Sequence, residues 1–87
     1  MSAAKTARPN KLYFEARRID GKVRFRWVLK SPQGREIAVS HTTFSSKLAV
    51  IKNCIVVFHS TLLDESLMTV VDPEMYDKIA AELTKAQ

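Results

Sequence analysis

The sequence predicts an α+β fold: an antiparallel sheet of three or four strands in βββα order, covered by one helix, with a second helix at the C-terminus. Three observations predict it. Val23 to Lys30 alternates with period two, which puts Val23, Phe25, Trp27 and Leu29 on one strand face and Arg24, Arg26, Val28 and Lys30 on the other. Asp20-Gly21 lies between that run and an earlier alternating one, the signature of a tight hairpin. After Ser46 the apolar spacing changes to about 3.6 residues, a helical period.

Met1 to Asn10 is small, polar and basic, contains Pro9 and has no periodicity, so a disordered basic arm is expected there. Lys11 to Ile19 reads as the first strand, with Leu12, Phe14 and Ala16 alternating with Tyr13, Glu15 and Arg17. Glycine accepts positive φ without steric penalty, so Asp20-Gly21 turns the chain into the Val23–Lys30 strand. Ser31-Pro32-Gln33-Gly34 is a second turn, with proline pre-setting φ at its second position and glycine closing it. Arg35 to Ser40 reads as a third strand, with Ile37 and Val39 expected inward and Glu36 and Ala38 outward.

Thr43 or Ser45 is placed to cap a helix over residues 46 to about 60, since a hydroxyl satisfies a free backbone donor. Leu48, Ile51, Cys54, Ile55 and Phe58 form its stripe, and Val50, Val56 and Val57 widen the apolar surface beyond one face. The β-branched run from Cys54 to Phe58 leaves a strand as the competing reading. Ser60 to Ser66 reads as a linker and Leu67 to Val71 as a short edge strand. Asp72-Pro73-Glu74 opens a helix: Asp caps, Pro takes the first helical position, and Glu sits near the positive dipole end. Met75, Ile79 and Leu83 give that helix its apolar face. The expected organisation is a core over residues 11–60 and an acidic extension over 61–87 packed on the same domain.

Eighty-seven residues suffice for one modest core. The chain has no apolar run near the length of a membrane span, and its start lacks the apolar centre of a secretion signal. Cys54 is the sole cysteine and has no disulfide partner within the chain, which suits a reducing cytosol, so a cytoplasmic location is expected. The net charge of +5 hides a division. Residues 1–59 hold twelve Lys/Arg against three Asp/Glu, and residues 60–87 hold two against six. A basic body of this kind seeks an anionic partner.

The candidate site is the outward sheet face. Arg17, Arg24, Arg26 and Lys30 project from it, Tyr13 stands among them, and Arg18, Lys22 and Arg35 extend the patch near the turns. Guanidinium groups grip phosphates bidentately, and such binding is directed at the backbone and sensitive to salt. No catalytic, metal or cofactor constellation accompanies them. His41, His59 and Cys54 lack the ligand spacing of a zinc site, both glycines sit singly in turns, and no nucleophile motif occurs. The expected function is a small non-catalytic binding module whose basic face engages nucleic acid or a nucleic-acid-associated protein. The alternative is a phage-type small inhibitor of a host defence or replication enzyme, an analogy from size and composition.

From about residue 13 to 57 the chain resembles the YegP-like family of small uncharacterised bacterial domains. The parts that carry the resemblance are Tyr13-Phe14-Glu15, Phe25-Arg26-Trp27-Val28-Leu29-Lys30, Gln33-Gly34, Ile37, Ser40 and Phe44-Ser45-Ser46-Lys47. The chain departs from the family at Ser31-Pro32, at His41 where an acidic residue is frequent, and at Asn53 where glycine is common. The resemblance implies a βββα unit that packs in pairs and, with a single repeat here, a homodimer. The over-wide apolar helix points the same way. The resemblance implies no established activity.

Overall fold

A computed structural model describes residues 8–85. The fold is α+β: a four-stranded open sheet with two helices. The strands are β1 (Asn10–Ile19), β2 (Lys22–Lys30), β3 (Glu36–Val39) and β4 (Met68–Val70), in the sheet order β3-β2-β1-β4. The helices are α1 (Lys47–Phe58) and α2 (Pro73–Lys85), and a 3-10 segment, His59–Leu63, follows α1. Of the basic arm expected over residues 1–10, residues 1–7 lie outside the described residues and Asn10 already belongs to β1.

Asp20 and Gly21 carry φ of 52° and 77°, so both central residues of the hairpin turn have the positive φ of a type I′ turn. That two-residue turn fixes the register: Ile19 faces Lys22, Arg17 faces Arg24, Glu15 faces Arg26, and Leu12 faces Leu29. The second turn closes with the Gly34 amide donating to the Ser31 carbonyl at 2.9 Å.

Two strand expectations need correction. The sheet is mixed rather than antiparallel, because β4 runs parallel to β1. The chain leaves β3 on one edge, crosses in α1 and the 3-10 segment, and returns on the other edge; a helical crossover of this length delivers a parallel strand. The parity of β3 is also reversed. Ala38 pairs with Leu29 and so faces the core, while Val39 pairs with Val28 on the outer face. Ile37 and Val39 are exposed. The cause is a bulge at Leu29/Lys30, which moves Glu36 opposite Lys30 and shifts the alternation by one.

Leu12, Trp27 and Leu29 from the sheet meet Val50, Ile51 and Cys54 of α1 and Met75 and Ile79 of α2 in one core cluster. Each large apolar side chain so buried contributes about 1.5–3 kcal/mol. Ser46, rather than Ser45 or Thr43, caps α1: its Oγ accepts the Ala49 amide at 3.1 Å. Phe44 bridges Phe25, so helical backbone starts beyond Ser46. The stripe of α1 is turned toward Val50, leaving Leu48, Val56 and Val57 exposed. His59, at φ 54°, ends the helix, and the segment expected as a linker inserts Leu62 into the core. Asp72 caps α2 as expected, accepting the Glu74 amide at 3.0 Å.

Trp27 couples the two layers. Its ring is packed edge-on against Phe58 at 5.0 Å, and its indole N–H donates to Asn53 Oδ1 at 2.9 Å. Removing the acceptor leaves a buried donor without a partner. Asn53→Ala is expected to lower stability by about 1–3 kcal/mol in urea unfolding. The neighbouring exposed Lys52→Ala is expected to stay within about 0.5 kcal/mol of the parent.

Candidate anion-binding face

Both helices pack on the face that carries Leu12, Trp27 and Leu29, so the opposite face stays outside the helical layer. Register decides what that face presents. From the base of the hairpin to its tip the cross-strand pairs are Lys11–Lys30, Tyr13–Val28, Glu15–Arg26, Arg17–Arg24 and Ile19–Lys22. Val28 is fully buried yet lies outside the core cluster, flanked by Tyr13 and Val39 on the neighbouring strands.

The eight residues singled out from sequence occupy three places. At the base, Lys30 sits over the Tyr13 ring with Nζ 4.8 Å from its centroid, a cation–π contact that also takes up the ring face. Arg35 lies beyond it, after the second turn, where its amide donates to Ser31 Oγ. In the middle, Arg26 Nε donates to Glu15 Oε1 at 2.8 Å, and the partly exposed pair neutralises itself. Toward the tip stand Arg17, Arg18, Lys22 and Arg24. Arg24 is held by Thr43: Nε donates to Oγ1 at 3.0 Å and Nη2 to the carbonyl at 2.9 Å. Arg18 Nη1 donates to the Gly21 carbonyl within the turn. Arg17 and Lys22 are exposed.

The site is therefore not a uniform basic sheet. Arg35 and the Asp20-Gly21 turn lie past opposite ends of β2, whose nine residues span about 30 Å. Cations concentrate at the tip, where Arg17 and Arg24 face each other directly. Like charges opposed across strands are destabilising, and the sheet keeps this pair. Sequence reading named the arginines but not their partners Glu15 and Thr43. The Glu15–Arg26 pairing follows by counting back from the two-residue turn. Thr43 has no such signal, since it lies in an irregular connection.

Among the described residues no three His, Cys, Asp or Glu side chains gather as a metal site, and no helix is long and apolar enough to cross a membrane. Burial pushes the Cys54 thiol up to about 12, so it stays protonated in the core. A cavity of about 210 Å³ lies between Phe14, Ala16 and Phe25 of the hairpin and Met75 of α2. Its charged neighbours are engaged elsewhere: Lys47 pairs with Glu74 at 3.1 Å, and Asp72 caps α2. No family model, curated protein or solved structure matches the chain.

If Arg17 and Arg24 repel, relieving the pair stabilises the fold. Arg17→Thr places a strand-favouring residue opposite Arg24 and is expected to raise stability by about 0.2–1 kcal/mol in urea unfolding. A loss of stability would show that Arg17 holds the hairpin together.

Proposed function

We propose that this protein is a small binding module that works without catalysis and uses the outer face of its sheet to hold an anionic partner, with nucleic acid as the leading ligand. The observation that carries the reading is the opposed Arg17–Arg24 pair, with Lys22 beside it, on the sheet face that neither helix covers. Thr43 fixes the Arg24 guanidinium and Arg17 is exposed across from it, so two cationic positions are held together on this face. The acidic C-terminal third supports it: Glu74 and Glu82 pair with Lys47, Lys78 and Lys85 on the helical side, leaving the basic face clear.

The YegP-like membership remains part of this proposal. In support, Phe25, Trp27 and Leu29 pack inward and Ser46 caps α1. A cytoplasmic setting is consistent with a lone, buried thiol. The exposed apolar residues Leu48, Val56 and Val57 favour a second, protein-facing surface on α1. On that ground we also propose a homodimer, and the inhibitor reading draws on the same surface. Light scattering is expected to give twice the monomer mass, reduced to one by Val56→Asp with Val57→Asp; a monomeric parent at high concentration rejects the dimer.

The binding test is fluorescence anisotropy with labelled DNA, single-stranded and duplex, titrated between 50 and 200 mM salt. Neutralising about three phosphates predicts an affinity loss of about 40-fold across that range. Arg24→Ala with Arg26→Ala weakens binding, whereas Lys52→Ala with Lys85→Ala does not. Absent or salt-independent binding, or an unchanged affinity in the Arg24/Arg26 variant, rejects the reading.

A further inference from the structure

We propose that the end of the β1–β2 hairpin, residues 17–24, is the contact segment, and that it enters the major groove of B-form duplex DNA. The inference rests on the binding-module reading and gives it a place and a ligand class.

The hairpin outgrows its sheet. β4 pairs only with Asn10, Lys11 and Leu12, and β3 only with Val28, Leu29 and Lys30. The last backbone support is the bridge between Phe25 and Phe44, whose amides and carbonyls exchange bonds of 2.8 and 2.7 Å, and one residue further out only the Arg24 side chain is tied back, to Thr43. Beyond it, among the described residues, no third strand pairs with the ribbon. Three residue pairs and the turn remain, a free length of about 10 Å. The B-DNA major groove is about 12 Å wide and about 8.5 Å deep and admits a two-stranded β-ribbon. The free length matches the depth.

Charge is distributed as a groove requires. Arg17, Arg24 and Lys22 share the outer face by register, and Arg18, paired with Val23, belongs to the other. A ribbon inside a groove has phosphates on both flanks, whereas a flat acidic surface needs cations on one face only. Single strands are held by aromatic stacking platforms, and residues 17–24 contain no aromatic. Tyr13 lies under Lys30, and Phe25 and Trp27 pack toward the helices. An A-form RNA duplex offers a major groove too narrow to read. The apolar side chains at the tip, Ile19 and Val23, are about two-fifths exposed, at 40% and 43%, and suit contact with thymine methyl groups. Asp20 is the one carboxylate on the segment, and it is there for the turn: its φ of 52° restricts the position to residues such as Asp, Asn or Gly.

The test is anisotropy with a labelled DNA duplex of about 20 base pairs, the matching single strand and the matching RNA duplex. Arg17→Ala with Lys22→Ala is expected to weaken duplex binding at least about tenfold and to flatten the salt slope by about 2. Lys11→Ala with Arg35→Ala, at the opposite end of the hairpin, is expected to change affinity less than about twofold. Asp20→Asn keeps the turn, removes the negative charge and is expected to tighten binding severalfold. The tip variants alter exposed side chains, and a melting temperature no lower than the parent's verifies their fold. Equal loss in the Lys11/Arg35 variant, or equal affinity for single strand or RNA duplex, overturns the groove assignment while the broader anion-binding reading stands. Failure of every nucleic acid to bind overturns both.

Discussion

The contact of Trp27 with α1 is what gives this small sheet two different faces. The indole lies between layers, donates to Asn53 and packs edge-on against Phe58. It is 4% exposed, so its N–H relies on the asparagine of α1 for an acceptor. Once Trp27 points to the helices, period two forces Arg26 and Val28 to the far side, and Leu29 back to the core. Both α-helices of the described residues are used on that one side. Everything the outer face presents follows from this one-sided cover.

A second constraint is length. β1 and β2 have ten and nine residues, against four in β3 and three in β4. The outer strands therefore support only the base of the hairpin, and the helices pack over that same base. This separates the molecule into a packed end and a protruding end, with a longest dimension of 50 Å against a shortest of 20 Å. Cations at the base and middle are taken up by neighbours, Lys30 by Tyr13 and Arg26 by Glu15. At the tip Arg24 is held by Thr43 and Arg18 by the Gly21 carbonyl, while Arg17 and Lys22 stay exposed.

Much of the fold could be read from residue order because its signals are local. Asp20-Gly21 fixes the turn and hence the entire β1–β2 register, and Asp72-Pro73-Glu74 fixes the start of α2. What escaped reading depends on contacts made elsewhere. Ile37 and Val39 look more apolar than Ala38, yet a bulge opposite Lys30 places Ala38 inside. α1 is apolar on several sides, so its sequence does not choose which stripe faces the sheet. The direction of β4 depends on the crossover rather than on its own three residues. For the site, the arginines were visible but not their occupation. Arg24 reads as a free cation until Thr43, nineteen residues away, is found holding it.

On the proposed reading, the core holds one sheet face and leaves the far end of the hairpin free to touch a charged partner. Amide chemical-shift mapping, with a duplex DNA titrated into labelled protein, tests it residue by residue. Shifts are expected to concentrate on residues 17–24, fading past Glu15 and Arg26, with the helices unaffected. Shifts centred on α1, α2 or the Ser31–Arg35 turn would contradict it.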